Sequence, residues 1–222
     1  MNLQAIRLLF LKDLFLSRRP LFAYFVAGFA ASAAACLSDP TLAFVGFILV
    51  ITVAIASGIH LIGTLMLSET TDQTRLFVMS LPISLLDYSI SKISVVMTTY
   101  LIPWTAMFAC LTIATFVLGK QGNVVVLPPI FFFLLASFML QLVTAVISES
   151  VGFTICVMVG GNVCLNVLLM KLFAIPEISE VTKSDVLTWP TIVVQIIAVE
   201  ILISAVALAM AFLFQTRKRD LV

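Results

Sequence analysis

The sequence predicts an all-α integral membrane protein with six transmembrane helices. Three observations carry this. Hydrophobic residues make up 62% of the 222 positions and charged residues 10%, where soluble domains carry about 25% charged. Mean hydropathy is +1.22. The apolar residues fall in long uncharged runs rather than in the alternating pattern of about ten residues that a membrane barrel shows. A soluble core, a disordered chain and a secreted disulfide scaffold are all excluded. A net charge of +1 provides no basic field for nucleic acid.

The elements follow in order. Residues 1–19 hold Arg7, Lys12, Arg18 and Arg19 among Leu and Phe. This stretch is too charged to span and apolar enough to lie on the membrane surface as an interfacial helix. Arg18-Arg19-Pro20 is expected to turn the chain into the first span, 20–37. No cleavable leader is visible in the first 19 residues. The second span is 42–67, interrupted only by His60. Residues 68–92 form a cytoplasmic loop, in which Ser68 caps a short helix and Pro82 stops it. Spans three to six are 93–118, 128–148, 151–172 and 190–214. Each meets the length of about 20 apolar residues that a crossing needs. Pro103 is expected to kink span three, and Trp189 to sit at the membrane interface.

Lys and Arg set the orientation. Nine of the twelve lie on one side: Arg7, Lys12, Arg18, Arg19, Arg75, Lys92, Arg217, Lys218 and Arg219. Lys120, Lys171 and Lys183 lie on the other. The excess of positive charge belongs to the cytoplasm, so both termini are placed there, in a multi-pass protein of the plasma membrane. Six crossings give the same parity.

Polar residues within the spans are the candidate functional ones. Asn162 and Asn166 stand four apart and share one face of a helix. They read either as a polar stripe on a translocation path or as interhelical hydrogen-bonding groups. Glu200 lies about 20 Å from the inner end of span six, at 1.5 Å per residue, where an ionisable group must be paired, protonated or facing water. His60 lies about 10 Å from the inner end of span two and reads as a packing residue. Cys36, Cys110, Cys156 and Cys164 fall inside the spans as small buried hydrophobes, and no spacing supports a metal site. Small residues from Ala27 to Ala35 suit close helix packing.

Three places in the chain resemble the membrane subunits of type-2 ABC exporters, six-helix permeases that pair with a separate ATPase. Lys12-Asp13 and Arg18-Arg19 ahead of span one are similar to that family's connecting helix. After span two come Glu69, then Thr and Arg75, then Ser80-Leu81-Pro82-Ile83-Ser84, and Lys92 opening span three. This looks like the family's first cytoplasmic loop. Phe214-Gln215-Thr216-Arg217-Lys218-Arg219-Asp220 resembles its basic ending. These motifs cover about a quarter of the chain. Leu85-Leu86-Asp87 departs from the pattern, standing where many members carry a basic residue.

The resemblance implies a mechanism. A second permease subunit, identical or homologous, pairs with this one among membrane lipids, and cytoplasmic ATPase subunits dock beneath. The loop acts as a coupling helix through Glu69, Asp72, Arg75 and Pro82, with Glu149 between spans four and five as a second contact. Short re-entrant helices are expected in the extracellular segment 173–189. The sequence has no GxxxxGK[ST] phosphate loop, so ATP and Mg are expected on the partner and no cofactor on this chain. The chain is then a transport subunit and not itself an enzyme. The sparse polar lining fits an amphipathic or hydrophobic cargo: a membrane-active peptide, lipid or drug. A haem-export membrane subunit and an ion-coupled secondary transporter are the alternatives.

Overall fold

The computed structural model describes residues 3–67, 85–119, 121–184 and 186–217. Every regular element among them is helical. Among the described residues, seven α-helices run in order: α1 (Leu3–Ala35), α2 (Pro40–Ile62, continued by a π turn over Gly63–Leu67), α3 (Leu85–Val117), α4 (Leu127–Ser148), α5 (Val151–Ala174), α6 (Pro176–Lys183) and α7 (Thr191–Arg217). A 3-10 turn, Gln121–Val126, leads into α4. Among the described residues, five segments are long and apolar enough to cross a membrane: Pro40–Leu67, Asp87–Val117, Gln121–Ser148, Val151–Ala174 and Thr191–Phe214. The chain is thus an all-α, multi-pass membrane protein.

Local chemistry sets the helix ends. The Asp39 carboxylate accepts from the backbone N–H of Thr41 at 2.8 Å and Leu42 at 3.0 Å, and Pro40 occupies the first turn, where its missing N–H costs nothing. Gly119, at φ +70°, turns the chain out of α3. α4 ends at Glu149, whose backbone is left-handed at φ 50° and whose N–H donates to the Ala145 carbonyl. Ser150 then returns to extended geometry, and α5 begins at once.

Contacts between helices fix their directions. Asp13 lies beside Lys92 and Gly28 beside Met107, a step of 15 residues along both α1 and α3, so these two run parallel. Gly46 meets the backbone of Ala34 and Ala35, and His60 stands 5.7 Å from Tyr24, so α2 returns antiparallel to α1. The Ala-rich end of α1 is therefore used within the chain, against α2. Tyr100 donates to the Leu134 carbonyl at 3.4 Å and Trp104 Nε1 to that of Phe131 at 3.0 Å, joining α3 antiparallel to α4. Tyr100 also stacks on Phe138 at 3.8 Å. The core gathers around α4, where Ile130 and Phe131 are fully buried. α5 and α7 each pack chiefly on α4 and leave broad apolar faces uncovered.

Several boundaries differ from the sequence reading. α1 carries on through Arg18-Arg19-Pro20 without a break in the helix, so 1–19 is not set apart from the first span by a turn. Its amino-terminal half packs beside the start of α3, where Asp13 meets Lys92. α3 begins at Leu85, not at 93. Asp87, Ser89, Ser91 and Lys92 interrupt the hydropathy but not the helix, and all four are buried. Pro103 likewise sits inside an unbroken helix. In the segment 173–189, one short helix forms, α6, with Ile178 fully buried. Gly122 of the 3-10 turn lies against the Val181 carbonyl of α6, an approach that no larger residue permits. Cys156 and Cys164 are exposed on α5 rather than buried, because α5 covers only one face of itself against α4. His60 is also exposed, its ring tilted against Tyr24, rather than packed in the interior.

Candidate functional site

An open groove of about 840 Å3 lies between α2 and α5. α2 contributes Phe44, Phe47, Ile48, Ile51, Ile55 and Ile59, spaced along one stripe. α5 contributes Asn162, Leu165, Asn166, Leu169, Met170 and Phe173, again one face by their spacing of three and four. Thr52, Asn162 and Asn166 are the polar members of this lining, and none of its residues is charged. Asn166 Nδ2 donates to the Asn162 carbonyl at 2.9 Å, which leaves the Asn166 carbonyl oxygen as an acceptor toward the groove. Thr52 spends its hydroxyl proton on the Ile48 carbonyl at 2.8 Å. The groove therefore presents uncharged acceptors and amide donors on apolar walls.

Behind Asn162 lies a second, much smaller cavity of about 10 Å3, close to the lower limit for a single water. Tyr100, Ser137, Gln141 and Gly161 share its wall with Asn162. Gln141 Nε2 donates to Ser137 Oγ at 3.2 Å. Gly161 packs closely here: a Cβ would sit 2.5 Å from Ser137 Oγ, and that hydroxyl would have to turn away from it. So the missing side chain of Gly161 lets α5 approach α4 and holds Asn162 at the floor of the groove.

Glu200 stands apart from this lining. It is 5% exposed and lies on the seam of α7 formed by Val193, Glu200, Ala207 and Ala211, the face buried in packing. Its backbone carbonyl accepts from Ser204 Oγ at 2.8 Å, and its Oε2 is buried without a hydrogen-bond partner. The seven-residue steps from 193 to 200 to 207 put the carboxyl where α7 meets the bundle, not in the groove.

The coupling residues expected from the sequence divide in two. Glu69, Asp72, Arg75 and Pro82 lie outside the described residues. Glu149 is described, half-buried in the two-residue link between α4 and α5. Its left-handed backbone is a conformation that glycine adopts more cheaply.

A further pair was not anticipated from the sequence. Lys92 Nζ lies 2.9 Å from Asp13 Oδ2, with the side chains 6% and 3% exposed. Lys12 Nζ approaches the other oxygen of Asp13 at 3.6 Å, but from solvent. Ser17, one turn beyond, is buried and donates to the Asp13 carbonyl at 2.9 Å. The available signal was a lone acid among four bases in the first 19 residues, and a lysine abutting an uncharged run.

Among the described residues, no group of three His, Cys, Asp or Glu side chains is placed to hold a metal ion. No family model matches the chain, and no curated protein or solved structure matches it either.

Proposed function

We propose that this chain is the membrane subunit of an ATP-binding-cassette exporter, forming half of the translocation pathway and driven by a separate cytoplasmic ATPase. α1 is the sixth crossing, through its uncharged stretch Pro20–Ala35, and both termini face the cytoplasm of a plasma-membrane protein. The amino-terminal half of α1 lies at the cytoplasmic boundary, where its exposed Leu8, Leu11 and Phe15 meet lipid. A second permease subunit, identical or homologous, closes the open side of the groove. The segment with Glu69, Asp72, Arg75 and Pro82, together with the Glu149 link, is the surface the ATPase grips. ATP and Mg bind on that partner.

The groove between α2 and α5 carries this reading. Apolar walls with two amides and no charge suit an amphipathic or hydrophobic cargo, and they disfavour a charged sugar or nucleotide. Asn162 and Asn166 are the pathway residues, while Glu200 serves helix packing. The parallel pairing of α1 with α3 supports the alternating topology that six crossings require. An ion-coupled secondary transporter has one observation in its favour, the buried carboxyl of Glu200. Purification under mild detergent separates the two: an exporter subunit brings an ATPase with it. A chain that purifies alone and binds no ATPase overturns the proposal.

A further inference from the structure

The buried charges at the start of α3 have a mechanical consequence. Lys92 and Asp13 meet at 2.9 Å with almost no access to water. Both lie two to three turns from the beginnings of their helices. The same pair of helices is in contact again at Gly28 and Met107, where a Cβ on Gly28 would fall 2.7 Å from the Met107 sulfur. Between the two contacts lie 15 residues of each helix, about 22 Å at 1.5 Å per residue. A slide of one turn, about 5.4 Å, takes the buried Lys92 ammonium away from the Asp13 carboxylate, a separation of buried charges that is unfavourable. The pair therefore fixes register as well as contact. A force applied at Leu85, where α3 begins, arrives at Lys92 within about two turns of helix.

We propose that Asp13 and Lys92 are positioning residues that clamp α1 and α3 into one lever, so that movement at the start of α3 is delivered to both helices together. This rests on the exporter reading for the source of the force, but the clamp itself does not. The amino-terminal half of α1 is then part of the transmission and not an independent anchor. Ser17, buried one turn away and bonded to the Asp13 carbonyl, supports the α1 side.

Spin labels test both halves of the claim in a chain whose four cysteines are replaced by serine. With labels at Leu8 and Ile102, both exposed, the native chain gives one narrow distance. Asp13→Asn and Lys92→Met broaden it; Lys92→Arg and the exchanged pair Asp13→Lys with Lys92→Asp restore it. A narrow distance in Asp13→Asn and Lys92→Met overturns the clamp, as does a Lys92→Arg variant as broad as Lys92→Met, which would make shape and not charge the determinant. With labels at Leu8 and Val163 on the copurified complex, trapping with ATP and vanadate shifts the distance in the native chain. The shift is lost in the two neutral variants and regained in the exchanged pair. A shift that persists in the neutral variants overturns the transmission role. A native chain that carries no ATPase overturns the exporter reading and the transmission role with it, while the Leu8–Ile102 distances still decide the clamp.

Discussion

Gly46→Ala and Gly63→Ala make the same chemical change in the same helical segment and should move stability in opposite directions. At Gly46 the added carbon would fall on the backbone nitrogen of Ala35 and within 2.5 Å of the Ala34 carbonyl carbon. Both belong to the main chain of α1, so no rotamer change relieves the clash. α1 and α2 must part near the link that joins them. Overpacking of this kind costs about 3 kcal/mol at the upper end of its usual range. Replacing glycine by alanine inside a helix returns about 1 kcal/mol. The net is a loss of about 2 kcal/mol. At Gly63 nothing among the described residues lies within 4 Å of the added carbon, and the backbone is right-handed at φ −60°, ψ −49°. There the substitution only narrows the unfolded ensemble and stabilises by about 0.4–1 kcal/mol. The assay is thermal unfolding in detergent, followed by circular dichroism. At roughly 2–4 °C per kcal/mol for a chain of this length, Gly46→Ala should melt several degrees lower and Gly63→Ala slightly higher. Melting shifts of the same sign, or no loss in Gly46→Ala, would refute the packing of α1 on α2.

Three further outcomes are expected. Asn162→Leu combined with Asn166→Leu should leave the melting point nearly unchanged, since the Asn166 amide donates to the Asn162 carbonyl of its own helix and ties α5 to no other helix; binding of a neutral hydrophobic dye, read by fluorescence, should weaken. Unaltered dye binding would take the amides out of the pathway. Glu200→Gln should insert and melt like the native chain, whereas Glu200→Lys, forcing a charge into a buried seam at a cost of about 3 kcal/mol or more, should fall sharply in the membrane fraction on immunoblot. Equal losses in both would mean that Glu200 needs its own carboxyl chemistry. Glu69→Ala and Arg75→Ala should insert normally yet uncouple ATP hydrolysis from transport in reconstituted vesicles, and native coupling in both would remove the loop from the mechanism.

How far the fold was legible varies with the physics behind each element. The five long apolar segments were readable because a bilayer demands unbroken runs of helix-compatible apolar residues. Helix ends were not. Asp87, Ser89, Ser91 and Lys92 ended the hydropathy run, but the helix continued because α1 supplies a partner for Lys92. Pro20 read as a turn, yet α1 absorbs it and continues to Ala35. The common face of Asn162 and Asn166 followed from their spacing, and the groove wall lies on that face. Nothing in the spacing revealed that α2 would form the opposite wall. The surroundings of Glu200 depend on which face of α7 meets α4, and that face is not encoded in its spacing. The link between Asp13 and Lys92 is a tertiary contact between residues far apart in the chain, and no local pattern encodes it.

Vesicles holding the purified chain, with and without its copurified ATPase, test the central claim most directly. Efflux or uptake of a neutral hydrophobic dye should occur only when the ATPase and ATP are both present, and should stop with vanadate. Dye movement by the chain alone, powered by a proton or sodium gradient, would contradict the account.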